Sequence, residues 1–149
     1  MPMVVATIAL SVTPLMLTVA LHYEALSVLS RIMQSTRLAS HPKLLVAVFG
    51  VVAAHLLEIL VYAMSYWIAD AVLNIGDFGG NRAVNFSDYL FFSAETFSTL
   101  GMGDIFPLGT IRLIASLESL NGIVLIGWST SFTFLAMSRY WQLRATDRD

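Results

Sequence analysis

The chain has 149 residues, 57% hydrophobic and only 12% charged, against about 25% charged in typical soluble domains. That balance belongs to an integral membrane protein, and a net charge of -2 is too small to point to nucleic acid or an acidic partner. With no cysteine, a disulfide framework and a thiolate metal site are excluded as well.

Met1 to Tyr23 carries no charge, enough to cross a hydrocarbon core that takes about 20 residues of helix. Met1-Pro2-Met3 lacks the positive region of a cleavable leader, so this span is expected to be retained. Pro14 is expected to kink it, with Ser11 and Thr13 close enough to satisfy freed backbone groups. From His22 to Lys43 the chain turns polar, with Ala25, Val28, Leu29 and Met33 at helical spacing. That pattern predicts a short amphipathic helix at the membrane surface, or an extension of the first helix beyond the bilayer. His41-Pro42 marks a break.

Leu44 to Trp67 reads as a second span, interrupted by His55 and Glu58. Tyr62, Tyr66 and Trp67 gather near its end, as aromatic residues do at a membrane interface. A loop rich in Gly, Asn and Asp follows from Asp70 to Ser87, and Ser87-Asp88 makes a helix start. The helix expected from Asp88 to Ser98 is about 16 Å long, half a bilayer, so the chain must enter the membrane and return. Leu113 to Met137 is a third span with one charge, Glu118, closed by Arg139, Tyr140, Trp141 and Arg144. The fold class is an all-α membrane protein of three transmembrane helices plus a re-entrant helix. There is no internal repeat.

Basic residues orient it. Arg31, Arg37 and Lys43 lie in the first loop and Arg139, Arg144 and Arg148 in the tail, with only Arg82 and Arg112 between the second and third spans. The positive-inside rule puts the first loop and tail in the cytoplasm, and the re-entrant segment and N-terminus outside.

The informative motif is Thr99-Leu100-Gly101-Met102-Gly103-Asp104, directly after the half-length helix. Glycine permits backbone angles that other residues avoid, so a Gly-x-Gly strand can turn successive carbonyls toward one axis. A ring of such carbonyls can replace the water shell of a cation. The motif resembles the filter of the tetrameric potassium channels, Thr-Val-Gly-Tyr-Gly-Asp, and the layout from Tyr89 to Arg139 is similar to bacterial two-helix potassium channels. Leu117-Glu118-Ser119-Leu120-Asn121-Gly122, with Gly127-Trp128-Ser129-Thr130, is similar to bacterial ion-channel pore proteins. The alternative for the motif is a tight glycine turn between two membrane helices, which needs neither Thr99 nor Asp104.

The resemblance implies a homotetramer embedded in lipid, conducting K+ with no other cofactor. Filter residues would be Thr99, Leu100, Gly101, Met102 and Gly103, with K+ on the carbonyls of Thr99 to Met102 and the Thr99 hydroxyl. The expected domains are residues 1–43, an N-terminal transmembrane helix and cytoplasmic amphipathic connector read from the spans and charges, and 44–149, a pore domain. The latter divides into an outer helix 44–69, pore helix 88–98, filter 99–104 and inner helix 111–138. Two positions depart from the family pattern. Leu100 for valine is mild, because only its carbonyl would face the ion. Met102 for tyrosine removes a hydroxyl that ties the filter to its surroundings, leaving Phe91 and Phe92 to hold it by packing. By the same resemblance Glu95 braces the filter, in some channels by sharing a proton with the aspartate matching Asp104, since two buried carboxylates do not both ionise cheaply. The plainer reading leaves Asp104 exposed at the outer mouth and Glu95 on a local backbone group.

On the inner helix, steps of three and four suggest that Ile123, Ile126, Thr130 and Phe134 face the pore, and Gly122 resembles a hinge glycine. Ordinary helix contact suits Gly122, Gly127, Ser129 and Ser131 equally well. His55, Glu58 and Glu118 are costly toward lipid, so they should point inward or pair. His55 and Glu58 could bond each other, Asn121 or Ser119, as glue between outer and inner helices, with Glu118 protonated or bonded behind the pore helix. A proton-sensing cluster and a metal site are the functional alternatives, the metal weakly supported, since one histidine and one glutamate supply only two ligands. The first span has no arginine row for voltage sensing. Other readings are a non-selective cation channel and a non-conducting regulatory subunit. An enzyme is not expected, and a plasma membrane, the bacterial inner membrane, is the expected location.

Overall fold

The computed structural model describes residues 2–35, 40–80 and 85–146. In chain order the elements are α1 (Pro2–Ser35), α2 (Ser40–Trp67) running on into a π turn (Ile68–Val72), and β1 (Gly76–Gly80). Then come α3 (Phe86–Phe97), β2 (Ile105–Gly109) and α4 (Arg112–Thr146). Three stretches, Val5–Gln34, Pro42–Val72 and Arg112–Arg139, are long and apolar enough to cross a membrane. The class is all-α membrane protein, with α3 as the short helix between the second and third spans.

α1 is a single helix of 34 residues, roughly 51 Å at about 1.5 Å per residue, so it must tilt or project from a core about 30 Å thick. No glycine or proline follows Pro14 in it, and the extension reading holds as far as Ser35. Its inward stripe is Thr7, Ser11, Thr18, His22, Leu26, Leu29 and Met33, whereas Val28, grouped with that face by spacing, is exposed. Around the proline, Ser11 Oγ donates to the Thr7 carbonyl at 2.7 Å and Thr18 Oγ1 to the Pro14 carbonyl at 2.8 Å. His41-Pro42, expected as a break, falls in the first turn of α2. A proline is tolerated there because its missing N–H would have no helical partner. Residues 36–39 lie outside the described residues.

Two expectations for α2 and the loop are corrected. Tyr62 and Tyr66 are fully buried instead of interfacial; one turn apart, they share the inward face, and both hydroxyls find partners on α4. The loop after Asp70 contains β1, which pairs antiparallel with β2 from Gly76↔Gly109 to Gly80↔Ile105. This ribbon ties the segment before α3 to the segment after the motif. Gly80 is required at the end of it: its φ is 86°, and a Cβ there would stand 2.2 Å from the Asp104 carbonyl oxygen.

α3 starts at Phe86, capped by Asn85 and not by Ser87. Asn85 and Asp88 form a reciprocal capping box, with the Asn85 N–H donating to Asp88 Oδ2 at 3.1 Å. The core behind α3 is aromatic: Phe78 meets Tyr66, Tyr89 and Phe92 edge to face, and Phe92 meets Tyr66 the same way. Asp70 of the π turn accepts from the Tyr89 hydroxyl at 2.8 Å, which fastens the end of α2 to α3. Among the described residues, no buried side-chain polar atom lacks a partner.

Candidate functional site

The motif begins where α3 ends. The N–H groups of Thr99 and Leu100 donate to the Thr96 and Glu95 carbonyls at 3.1 and 2.8 Å, closing the last turn. The negative end of the α3 dipole thus lies at the start of the motif, where it favours a cation. Beyond it, φ is positive at every second residue: 58° at Thr99, 58° at Gly101 and 81° at Gly103. Alternating handedness keeps the segment from coiling either way. It runs as an irregular ribbon, neither helix nor strand, from Leu100 to Gly103. Thr99 is β-branched, and such a residue at positive φ is strained by about 1–3 kcal/mol, a strain found mostly at functional sites.

The ribbon presents its side chains outward. Leu100 is 63% exposed and Met102 70% exposed. Apart from the adjoining residues, no atom lies within 4 Å of a Cβ built on Gly101 or Gly103, so the space beside both glycines is open. Glu95, on the last turn of α3, reaches the ribbon from behind: its Oε2 accepts the Met102 N–H at 3.3 Å. Asp104 Oδ1 accepts from the Ile105 N–H at 3.1 Å. Glu95 and Asp104 share the walls of one cavity of about 330 Å³ with Met102 and Phe91. Phe92 is buried in the aromatic core, whereas Phe91 is exposed.

Ile123, Ile126, Thr130 and Phe134 are all exposed along α4 in the single chain, and Thr130 Oγ1 donates back to the Ile126 carbonyl at 2.8 Å. Gly122 faces the other way: a Cβ there would lie 2.1 Å from the Phe97 carbonyl oxygen. Ser119 Oγ adds a hydrogen bond to the Thr96 carbonyl at 3.1 Å. The end of α3 therefore rests directly on α4.

The intramembrane polar residues join two networks. Glu118, fully buried, lies behind α3, taking the Tyr66 hydroxyl on one oxygen and lying 2.5 Å from Ser93 Oγ of α3 on the other. Ser93 Oγ is also 2.9 Å from the Ile59 carbonyl oxygen. His55 Nδ1 and Glu58 Oε2 are 2.8 Å apart, the intrahelical pair expected. Their other expected partners differ. Asn121 Nδ2 instead donates to Thr18 Oγ1 at 2.7 Å and to the Tyr62 hydroxyl at 3.1 Å. Glu58 Oε1 instead meets His22 Nδ1 at 2.8 Å, so His55 is not the only histidine within a span. His22 and Ser93 were missed by sequence reasoning, whereas Ser129, named there for helix contact, meets both histidines across helices. The available signal was the recurrence of Thr7, Ser11, Thr18 and His22 on one face of an uncharged helix.

Three apolar spans, with a half-length helix that ends on a glycine ribbon between the second and third, define a pore-loop type of membrane protein. Residues 44–139, more than half of the chain, match the family model described as ion channel, and the chain belongs to that family. α1 lies outside the matched region. No curated protein and no solved structure matches the chain.

Proposed function

We propose that four copies of this chain assemble around the ribbon 99–103 and conduct potassium ions. The observation that carries this reading is the alternation of backbone handedness at Thr99, Gly101 and Gly103, set at the C-terminal end of α3. Carbonyls of Thr99, Leu100, Gly101 and Met102, with the Thr99 hydroxyl, would supply the oxygens that replace the ion's water. One chain cannot surround an ion in this way, and the open space beside Gly101 and Gly103 is where the other copies and the ion would stand. The re-entrant segment faces outward and the tail of α4 faces the cytoplasm, in keeping with the distribution of arginines and lysines.

Met102 supports a second reading, a cation channel that admits sodium as well. Its side chain is 70% exposed and, being a thioether, makes no strong hydrogen bond to anchor the ribbon. Reversal potentials of the purified protein in planar bilayers, with potassium on one side and sodium on the other, separate the two. A potential near the potassium equilibrium value supports potassium conduction, and one near zero supports the non-selective channel. No flux, together with a monomer or dimer by native mass spectrometry, would refute both and leave a non-conducting subunit.

A further inference from the structure

His22 on α1, His55 and Glu58 on α2 and Ser129 on α4 close a ring of four contacts inside the membrane-spanning bundle. Glu58 Oε1 lies 2.8 Å from His22 Nδ1, and Glu58 Oε2 lies 2.8 Å from His55 Nδ1. Ser129 Oγ lies 3.2 Å from His22 Nε2 and 3.0 Å from His55 Nε2. His22 and Glu58 are fully buried, and the His55 side chain is 17% exposed. The imidazoles stack with centroids 5.3 Å apart, and His22 also faces Trp128 while His55 faces Phe97.

Two features set this ring apart from ordinary helix glue. With Glu58 ionised and both imidazoles neutral, its four contacts need four hydrogens, and the groups hold three: one on each imidazole and one on Ser129. The cluster then carries one buried negative charge, and among the described residues its ion-pair partners are the two histidines alone. A bound proton or a metal ion would balance that charge. Second, one nitrogen from each histidine and a Glu58 oxygen all lie within 4.8 Å of one another. A zinc ion there would draw all three in to roughly 2.0–2.2 Å.

We propose that His22, His55 and Glu58 bind one divalent transition-metal ion of zinc-like chemistry, which fastens α1 to the pore domain. Two imidazoles and a carboxylate are a donor set that zinc takes readily, with solvent as the fourth ligand. With the metal on both Nδ1 atoms, each Nε2 carries a hydrogen. The two lone pairs of Ser129 Oγ accept both, so α4 supplies the outer support that orients the ligands. His55, the least buried member, is the side from which the ion arrives. A bound proton would complete the same hydrogen count, and the experiment must separate the two.

Protein purified in detergent is stripped with a chelator, given zinc chloride, desalted and assayed for metal by mass spectrometry. One zinc per chain is expected for the wild type and for His41→Gln, with retention reduced tenfold or more in His22→Gln and Glu58→Gln. Zinc should also raise the wild-type unfolding temperature by about 5 °C or more. Cobalt(II) provides a test without a variant: strong visible absorption of a tetrahedral site is expected, and the weak spectrum of the aqueous ion would overturn the proposal. Wild-type zinc retention no greater than that of His22→Gln would overturn it too, as would an imidazolium signal in the infrared with zinc at background. Ion flux is not part of the readout, so the result stands apart from the conduction reading.

Discussion

Gly122 of α4 lies so close to Phe97 of α3 that a Cβ on it would stand 2.1 Å from the Phe97 carbonyl oxygen. The obstructing atom is backbone, so it cannot swing aside as a flexible side chain would. The glycine that resembles a hinge is thus a contact point between the short helix and the third span. Ser119, almost one turn earlier, bonds the Thr96 carbonyl at 3.1 Å and reinforces the same junction.

Gly122→Ala should therefore push α3 away from α4 and cost about 1–3 kcal/mol, the usual penalty for overpacking. Unfolding of the detergent-solubilised protein by titrated denaturant measures it. A variant as stable as the wild type would show that the junction is looser than this geometry requires.

Gly101→Ala meets no such contact within its own chain. Beyond the neighbouring residues nothing lies within 4 Å of the added methyl, so the cost inside one chain is backbone strain at φ 58°, about 1–2 kcal/mol. Stability should fall by about that amount, while potassium flux in liposomes should be lost because the carbonyl beside residue 101 turns. Retained flux would remove the ribbon from the conduction path.

Ser93 and Tyr66 hold the two oxygens of buried Glu118. Ser93→Ala or Tyr66→Phe should each cost about 1–3 kcal/mol by leaving a buried acceptor short of a donor. The double variant should depart from the sum of the singles, since both act on one carboxyl group. Strict additivity in the same unfolding assay would contradict a shared network.

Glu95 accepts the Met102 N–H at 3.3 Å. Removing that acceptor in Glu95→Ala should loosen the ribbon and lower potassium-over-sodium selectivity by about fivefold, the equivalent of one hydrogen bond. Glu95→Gln keeps an acceptor oxygen and should retain most of the selectivity. Reversal potentials check both, and an unchanged Glu95→Ala channel would show that the contact has no part in holding the ribbon.

The spans, the half-length helix and the glycine motif are legible in the sequence because each rests on local quantities. Apolar length decides whether a helix can cross lipid, and a short apolar run before Gly101 and Gly103 has room only to enter and return. Even here local rules reach their limit at boundaries. Asn85 and Ser87 are both good caps, and the choice falls to Asn85 because Asp88 completes the reciprocal pair with it.

What tertiary structure decided is which polar groups meet. His22 and Glu58 are 36 positions apart, and Ser129 and His22 are 107 apart; no spacing rule spans such distances. Lipid is as apolar as leucine, so hydrophobicity alone does not set the rotation of one membrane helix against another. The rotation is set by buried hydroxyls, imidazoles and carboxyls that have no water to turn to and must find one another. The sequence by itself thus determined that the chain has three stretches long and apolar enough to cross a membrane and a glycine motif after a short helix. Only the packed helices decided that Tyr62 and Tyr66 turn inward, that Gly122 touches Phe97, and that two histidines share one glutamate.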